Sequence, residues 1–281
     1  MLRVAITGAS GFVGQHCVRA LIAQGVRALC LSRRPMPIDG CEWRRLDMSA
    51  PAPAVIEEVA SCHSLLHLAW GGLPNYQERR HIAEELPQQR HFISEVCKAG
   101  QRSIVVTGTC FEYGLQEGEL CEDMSPQPNT SYAVAKDLLR QHCQAIADEL
   151  NVRLSWPRLF YVYGPGQSAK SLWSQLQAAI SRGDTKFPMS AGQQVRDFIR
   201  IEDAAGVLAR MAIARIDAKV VNVCSGDPAT VEQRVRRWLD ESGVHMELEL
   251  GKYPYPSHEP FRFWGARTRL DSLGLSRTQN E

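Results

Sequence analysis

Short apolar runs alternate along the chain with stretches in which apolar residues recur at helical spacing. Apolar runs of about four to eight residues are typical of strands buried on both faces, and helical spacing is typical of helices with one buried face. The predicted strands are Leu2–Ile6, Val26–Ser32, Glu42–Leu46, Ser64–Leu68, Ser103–Thr107, Arg153–Phe160, Phe198–Ile201 and Val220–Cys224. The predicted helices are Gln15–Ala23, Ala54–Ala60, Gln77–Ala99, Tyr132–Leu150, Ala169–Arg182, Glu202–Ala214 and Val231–Glu241.

Strand–helix alternation of this kind predicts an α/β fold with a Rossmann-type, doubly wound parallel sheet and right-handed crossovers. The alternation loosens after about Gly164, in segments rich in Gly, Pro and Ser, which indicates a smaller C-terminal lobe. Residues 195–224 are expected to return to the core sheet, so that the two parts interleave. Residues 1–165 and 195–224 would form the larger, ligand-binding domain. Residues 166–194 and 225–281 would form the substrate-binding lobe over the strand ends, where open α/β sheets bind ligands.

Three glycines at three-residue spacing join the first predicted strand to the first predicted helix. These are Gly8, Gly11 and Gly14. In a dinucleotide-binding loop the first glycine allows a tight turn, the second lets the backbone approach the phosphates, and the third lets the helix pack close to the strand. The free N–H groups at the start of the helix then face the anion. Ordinary turns also use glycine, but the position between strand and helix indicates a pyrophosphate-binding loop.

Tyr132 and Lys136 lie four residues apart in a predicted helix, so their side chains share one face. Thr109 follows the predicted strand Ser103–Thr107, whose end would lie beside a bound cofactor. A lysine cation and an oxidised nicotinamide are expected to lower the tyrosine pKa from its ordinary value of about 10. With Thr109 holding the same substrate oxygen, such a tyrosine would interconvert a carbonyl and an alcohol beside a hydride donor. A surface Tyr–Lys pair is the alternative interpretation.

The charge and cysteine content of the 281-residue chain argue against several classes of function. Its 32 basic and 31 acidic residues nearly balance, which argues against nucleic-acid binding driven by bulk charge. No apolar run is long enough to cross a membrane, and no leader pattern precedes the first strand, so a cytoplasmic protein is expected. The nine cysteines lack Cys-x-x-Cys pairs and the eight histidines lack metal-ligand spacing. Buried thiols and no metal site are expected.

The chain resembles the extended short-chain dehydrogenase/reductases, from Leu2 to about Leu273, and the family's motifs follow one another in its usual order. The motifs are Thr7–Gly14, Leu46-Asp47-Met48, His67-Leu68-Ala69, Thr109 with Tyr113-Gly114, Tyr132 with Lys136, Arg158 with Tyr163-Gly164-Pro165, and Arg196-Asp197-Phe198 with Glu202-Asp203. The extended branch acts largely on nucleotide-activated sugars. The resemblance therefore implies a substrate of that class, and the chain is most similar to nucleotide-sugar 4-keto-reductases.

The resemblance also implies the residues of the site, with Thr109, Tyr132 and Lys136 as catalytic residues. The cofactor would be bound by Gly8, Ser10, Gly11, Phe12, Val13, Gly14, Ser32, Arg33, Arg34, Asp47, Met48, Leu68, Ala69, Trp70, Thr107, Tyr132, Lys136 and Pro157. The substrate would be bound by Thr109, Phe111, Tyr161 and Arg196. Arg196 would meet the nucleotide diphosphate, which suits a bidentate guanidinium; a structural ion pair with Asp197 or Asp203 is the alternative.

The family is usually dimeric through a four-helix bundle, so the resemblance implies a homodimer. The predicted helices Gln77–Ala99 and Tyr132–Leu150 would form that bundle. The sequence itself shows no exposed apolar stripe on either helix.

The end of the second predicted strand favours NADP(H) over NAD. Ser32, Arg33 and Arg34 lie where an NAD site usually has Asp or Glu to hold the ribose 2′-hydroxyl. An arginine at this place instead accommodates a 2′-phosphate. Two solvated arginines in a loop are the alternative.

Several positions depart from the family's pattern. Sugar 4,6-dehydratases place Asp and Glu directly after the catalytic Thr, where this chain has Cys110 and Phe111, so dehydration is not expected. Epimerase-reductases of the fucose-synthase type have Cys at the position of Phe111, so 3,5-epimerisation has no evident base. Tyr161 replaces an Asn and Trp70 replaces an Ala. The indole of Trp70 would stack on a sugar, close the nicotinamide pocket or pack in the core.

These features predict an NADPH-dependent reductase of the 4-keto group of a nucleotide-linked 4-keto-6-deoxy sugar. A dTDP-sugar is favoured, and the product would supply a deoxysugar for glycan or O-antigen-type biosynthesis. Tyr132 would donate the proton, Lys136 would hold the nicotinamide ribose, and Thr109 would orient the C4 oxygen. The nearest alternative is a C4 epimerase that retains NAD. A reductase of unactivated carbonyls and a non-catalytic NADP(H)-sensing or scaffold protein are further alternatives.

Overall fold

The computed structural model describes residues 2–36, 38–255 and 259–275. Residues 256–258 and 276–281 of the predicted smaller lobe lie outside the described part of the chain. The strands are β1 (Arg3–Thr7), β2 (Arg27–Ser32), β3 (Cys41–Arg45), β4 (Ser64–His67), β5 (Ser103–Val106), β6 (Gly108–Thr109), β7 (Gly118–Leu120), β8 (Arg153–Leu159), β9 (Tyr161–Tyr163), β10 (Lys186–Ser190), β11 (Val195–Arg200), β12 (Lys219–Val223), β13 (Pro228–Thr230), β14 (Glu247–Tyr253) and β15 (Phe263–Gly265).

Helices lie between most of these strands. The α-helices are α1 (Phe12–Ala23), α2 (Pro53–Ala60), α3 (Leu86–Lys98), α4 (Ser131–Leu150), α5 (Leu172–Arg182), α6 (Ile201–Ala214), α7 (Val231–Glu241) and α8 (Thr268–Ser272). A π-helical turn spans His81–Glu85 and a 3₁₀ turn spans Cys110–Tyr113. No helix within the described ranges is both long enough and apolar enough to span a membrane.

The main sheet is parallel and has eight strands, in the order β12-β8-β5-β4-β1-β2-β3, with β6 paired to β8. Val4, Ala5 and Ile6 of β1 are all fully buried. Because successive strand residues point to opposite faces, both faces of the sheet must be covered. Helices α1 and α6 contribute to the core on one face, and α3 and α4 to the core on the other. The predicted Rossmann-type, doubly wound sheet is confirmed.

The strand order reverses at β1, which lies between β2 and β4. The register aligns Thr7 with Leu31 on one side and with His67 on the other, and His67 with Val106 of β5. The segments that follow these strands therefore leave the sheet at one edge. Open α/β sheets bind ligands in the crevice at such a reversal.

The sequence predicts that residues 195–224 return to the core sheet. This prediction is wrong for β11, the first of the two strands in that segment. Strand β12 joins the main sheet, but β11 pairs with β9 and β13 in a separate three-stranded sheet. The pairs β10–β14 and β7–β15 form two further small sheets. An apolar run predicts a buried strand but does not say which sheet buries it. The predicted boundaries between the two domains stay a prediction.

The predicted helix Gln77–Ala99 is also shorter than expected. The described chain is π-helical at His81–Glu85 and α-helical only from Leu86. Pro87 has no N–H to donate to the carbonyl four residues earlier, so a regular α-helical turn cannot continue through it. The widened turn before Pro87 places His81 and Glu85 in buried positions.

Candidate active site

The glycine loop has the close contacts that its spacing predicts. Gly8 has a φ of +68°, and its carbonyl accepts a hydrogen bond from the Gly11 N–H at 2.9 Å. A Cβ at Gly14 would lie 2.2 Å from the Gly8 oxygen. Helix α1 begins at Phe12 directly after the loop, so its free N–H groups and positive dipole end face the strand edge.

A cleft of about 540 Å³ runs from this loop along the ends of β1, β2 and β4. Among the predicted cofactor residues, its lining includes Gly8, Ser10, Gly11, Ser32, Arg33, Asp47, Met48, Leu68, Ala69 and Trp70. A second cavity of about 320 Å³ adjoins it and shares Leu68 and Trp70. That cavity is also lined by Phe12, Val13, Thr107, Tyr132 and Lys136. A dinucleotide that follows both cavities would reach from the glycine loop to Tyr132.

Three predicted cofactor residues lie elsewhere. Gly14 is buried beneath the loop, and Arg34 is exposed next to the cleft. Pro157 lies inside β8, paired with Val221, two residues before Leu159, which does line the second cavity. The resemblance places Pro157 too early in its strand, because only residues at the carboxyl end of a parallel strand reach the ligand edge.

At the end of the cleft beside β2 and β3, several polar side chains form hydrogen bonds with neighbouring residues. The Ser32 hydroxyl accepts a hydrogen bond from Trp43 Nε1 at 3.0 Å and donates one to the Arg34 carbonyl at 2.5 Å. Asp47 accepts hydrogen bonds from Ser49, and these lower the pKa of its carboxyl group, with smaller contributions from the charges of Arg45 and Arg33. Arg33 lines the same end of the cleft and is exposed.

The catalytic cavity brings together the three predicted catalytic residues, all of them buried. The Thr130 hydroxyl caps α4 by accepting a hydrogen bond from the Ala133 N–H, which fixes Tyr132 in the first turn of the helix. Lys136 lies one turn later, and its Nζ donates to the Thr107 carbonyl at 2.9 Å. Thr109 lines the same cavity as Tyr132, and its side chain acts to lower the pKa of the phenol. All three residues line the same cavity, as the sequence predicts, and their catalytic role stays a prediction.

The direction of the tyrosine pKa differs from the sequence expectation. Burial raises the pKa of Tyr132, and neighbouring Tyr76 and Glu112 add to this, against a smaller lowering by the Thr109 hydrogen bond. Burial also lowers the pKa of Lys136 to about 8. Loss of hydration is the largest cause in both cases, because it disfavours the charged form of each group. Tyr132 is therefore a protonated phenol at neutral pH, which suits a proton donor.

Aromatic and apolar side chains form the far wall of the catalytic cavity. Tyr76 lies with its ring centroid 4.9 Å from that of Phe111 and 5.6 Å from that of Tyr132. Its carbonyl accepts the Tyr132 N–H at 2.9 Å. Leu73 and Tyr161 also line this wall. Sequence reasoning missed Leu73 and Tyr76, because the predicted helix began at Gln77 and no motif marks the turn before it.

Arg196 pairs with Glu259, a partner that the sequence analysis did not name. Its Nη2 lies 2.9 Å from Oε2 of Glu259, and its Nε lies 3.2 Å from the hydroxyl of Tyr161. Tyr161 in turn donates to Glu259 at 2.6 Å. Asp197, one of the two partners in the alternative interpretation, accepts hydrogen bonds from residues 225 and 226 instead. No sequence pattern indicated Glu259, which lies far along the chain from both partners.

The turn after β6 has no free acid for an elimination. Glu112 is fully buried, and its carboxylate accepts hydrogen bonds from Trp156 Nε1, Arg158 Nε and the Thr109 N–H at 2.7–3.1 Å. Burial raises the pKa of the Cys110 thiol, so it is not a thiolate base at neutral pH. The expectation that the protein does not dehydrate its substrate stays a prediction. In the described residues, no group of His, Cys, Asp and Glu could hold a metal ion.

Comparison with known proteins gives the family. Residues 4–224 match the model of the NAD dependent epimerase/dehydratase family. A dTDP-6-deoxy-L-talose 4-dehydrogenase (NAD(+)) of Aggregatibacter actinomycetemcomitans is 25% identical over 95% of this chain and 100% of its own length. The dTDP-6-deoxy-L-talose 4-dehydrogenase (NAD(P)(+)) of Kitasatospora kifunensis is 26% identical over 88% of this chain and 81% of its own.

Solved structures agree with this assignment. MoeE5 in complex with UDP-glucuronic acid and NAD matches with a TM-score of 0.83 at 26% identity, over 98% of this chain and 94% of that one. TunA, an NAD dependent NDP-hexosamine 5,6-dehydratase, matches with a TM-score of 0.82 at 25% identity, over 100% of this chain and 93% of that one. The chain therefore belongs to the NAD dependent epimerase/dehydratase family, within the extended short-chain dehydrogenase/reductases.

Proposed function

We propose that the protein is an NADPH-dependent reductase of the 4-keto group of a nucleotide-linked 4-keto-6-deoxy sugar, with a dTDP-sugar favoured. Its product would be a deoxysugar donor for glycan or O-antigen-type biosynthesis. One observation carries the proposal: a buried, protonated Tyr132 lies with Lys136 and Thr109 in a cavity that adjoins the glycine-loop cleft. The same cavity holds no free acid–base pair from the turn after β6, which dehydration would use.

Tyr132, Thr109 and Lys136 have different roles in the proposed reduction. When bound, a reduced nicotinamide would supply the hydride. The Tyr132 hydroxyl donates its proton to the C4 carbonyl oxygen, and the Thr109 hydroxyl holds that oxygen in place. Lys136, hydrogen-bonded to the Thr107 carbonyl, contributes positive charge next to the developing alkoxide and binds the nicotinamide ribose. Because the site is buried, these electrostatic interactions are stronger than they would be in water.

The wall of the cavity supports a 6-deoxy sugar as the substrate. Leu73, Tyr76 and Phe111 present apolar surface opposite Tyr132, which suits a methyl carbon better than a hydroxyl or carboxylate. The relatives whose names specify dTDP-6-deoxy-L-talose support the same class. Arg196 would meet the substrate diphosphate only if the phosphate oxygens displaced the Glu259 carboxylate from its guanidinium.

The direct test follows the absorbance of NADPH and NADH with purified protein and a panel of nucleotide-linked 4-keto-6-deoxy sugars. We expect oxidation of the reduced cofactor with one nucleotide and faster oxidation of NADPH. A C4 epimerase is the second candidate, since several structural neighbours were solved with NAD. Copurification of one equivalent of NAD, with conversion of a nucleotide sugar and no net loss of absorbance, would favour the epimerase and overturn the reductase.

Replacement of Arg33 by Ala tests the cofactor preference. We expect kcat/KM for NADPH to fall about 10–100-fold, because a hydrogen bond to a charged group contributes about 1.5–3 kcal/mol and 1.4 kcal/mol is a factor of ten. The value for NADH should change little, since it has no 2′-phosphate. Arg34→Ala is the matched control, as Arg34 is exposed beside the cleft. Equal losses with both cofactors would show that Arg33 does not read the 2′-phosphate.

A homodimer and a cytoplasmic location stay predictions. In the described chain, α3 and α4 pack side by side, with the Ser94 hydroxyl 2.9 Å from Nε2 of His142. We propose that the outer faces of these two helices form the dimer interface. Sedimentation at micromolar concentration would report the mass of a dimer.

A further inference from the structure

Trp70 lies where the two cavities of the site meet. Its side chain lines both the glycine-loop cleft and the catalytic cavity. The face of its indole is 4.2 Å from Nζ of Lys136, measured to the ring centroid, and its ring is 5.8 Å from that of Tyr132. A large aromatic side chain therefore lies directly against the lysine of the catalytic cavity.

The indole is fixed from behind by His81. Trp70 Nε1 lies 3.1 Å from His81 Nδ1, and His81 Nε2 lies 3.0 Å from the Asn75 carbonyl. An indole N–H can only donate and a carbonyl can only accept. In these contacts His81 Nδ1 is the acceptor and Nε2 is the donor. His81 is fully buried, and hydrogen bonds at both of its ring nitrogens fix the imidazole. The fixed imidazole in turn fixes the orientation of the indole.

The π-helical turn before α3 supplies the support for Trp70. It turns both His81 and Glu85 inward, and Glu85 Oε2 accepts the Gly71 N–H at 3.0 Å. One turn thus fixes the side chain of Trp70 through His81 and the following backbone through Glu85. π-helical turns are rare in proteins, and those that do occur are frequently found at functional sites.

We propose that Trp70 is a positioning residue for Lys136, which it holds against the Thr107 carbonyl by covering the ammonium with its ring face. This role rests on the proposed reduction at Tyr132. The ammonium donates to the Thr107 carbonyl at 2.9 Å. Its nearer aromatic neighbour is the indole, whose ring centroid is 4.2 Å away, and the centroid of the Tyr132 ring is 5.9 Å away. The ring face of tryptophan carries negative potential and attracts a cation within about 6 Å.

The protonation of Lys136 depends on its burial and on the groups around it. Burial lowers the pKa of Lys136 to about 8, while Glu112, Cys143 and Glu85 act in the opposite direction. His67, which also faces the lysine, stays neutral because its own pKa is lowered to about 3. The indole face favours the ammonium form as the carboxylates do. Without it, Lys136 would lose its proton at a lower pH and would bind the cofactor and assist Tyr132 less well.

Lysine side-chain NMR tests the proposal without substrate or cofactor. The chain has six lysines, so isotope labelling at Cε gives few resonances, and Lys136→Met assigns the relevant one. In Trp70→Leu we expect the midpoint of the Lys136 titration to fall by about 0.4–1.5 pH units, the equivalent of one cation–π interaction. Trp70→Phe keeps a ring face but loses the bond to His81, so its shift should be smaller. Trp173→Leu in the smaller lobe is the matched control, and we expect it to leave the midpoint of the Lys136 titration unchanged.

The outcomes separate this role from the proposed function. An unchanged Lys136 midpoint in folded Trp70→Leu overturns the positioning role, even if the wild-type protein reduces a nucleotide sugar. A shifted midpoint in a protein that reduces none of them supports the role and overturns the reductase. If Trp70→Leu does not fold, His81→Phe removes the acceptor of the indole N–H and is read by the same titration. In an active enzyme, the alkaline limb of kcat/KM should move with the lysine midpoint.

Discussion

Tyr132→Phe is expected to lower kcat of the proposed reductase by about 10²–10⁴-fold, the usual contribution of a general acid. The variant loses only the hydroxyl that would protonate the C4 oxygen. The ring keeps its contacts with Tyr76 and Trp70, so the cavity and the cofactor cleft should keep their shape. The dissociation constant for NADPH should change little. Single-turnover kinetics with saturating NADPH measures the first effect, and a fluorescence titration measures the second.

Tyr253→Phe is the matched control for this variant. Tyr253 is 56% exposed on β14 in the smaller lobe, and its replacement removes a phenol hydroxyl far from the catalytic cavity. Wild-type turnover in Tyr132→Phe would contradict the assignment of Tyr132 as proton donor. A large loss of NADPH affinity in the same variant would mean that the tyrosine mainly binds cofactor.

The pH dependence of the reduction should follow the lysine and not the tyrosine. Burial raises the Tyr132 pKa, so the phenol stays protonated across the neutral range. The Lys136 pKa is lowered to about 8. Since reduction uses the protonated form of both groups, the rate should be constant below about pH 8 and should fall above it. The sequence alone predicted a lowered tyrosine pKa, because it shows the neighbouring cation but not the loss of hydration.

The sequence predicts the main sheet and the catalytic residues because their signals are local. Apolar runs and glycine spacing are read within one segment, and parallel strands bring the ends of such segments to one edge. Thr109, Tyr132 and Lys136 therefore meet as expected. Contacts between distant segments leave no such pattern. Glu259 reaches Arg196 from 63 residues away, and nothing near either residue indicates the pair.

The misplaced elements have equally specific causes. Strand β11 has the apolar run that is typical of a core strand, but it pairs with β9 and β13 outside the main sheet. Because a buried strand has the same apolar pattern in either sheet, the sequence does not indicate which sheet it joins. The widened turn at His81–Glu85 depends on Pro87, whose effect on the preceding turn outweighs the helical spacing. That turn places His81 behind Trp70. The function of Trp70 was left open by the sequence because its partner became visible only in three dimensions.

Glu112→Ala is expected to lower the free energy of unfolding by about 3–5 kcal/mol, the usual effect of removing one partner of a buried ion pair. Glu112 and Arg158 are 0% and 1% exposed and lie 2.7 Å apart. The variant would leave the Arg158 guanidinium without its carboxylate, and Trp156 Nε1 and the Thr109 N–H without an acceptor. Since domains are stable by only about 5–15 kcal/mol, this loss should be plain in urea-induced unfolding.

The double variant Glu112→Met/Arg158→Met tests whether the stability of the fold depends on the charges of this buried pair or only on side chains that fill the same volume. Paired apolar replacements of a buried ion pair are often neutral or stabilising, so most of the lost stability should return. Activity should not return with it, because the Glu112 carboxylate also fixes the Thr109 N–H, and with it the hydroxyl that holds the substrate oxygen. Recovery of both stability and turnover would mean that Thr109 is positioned by its strand alone. Loss of less than about 1 kcal/mol in Glu112→Ala would mean that water reaches Arg158 and that the site is less isolated from solvent than its burial indicates.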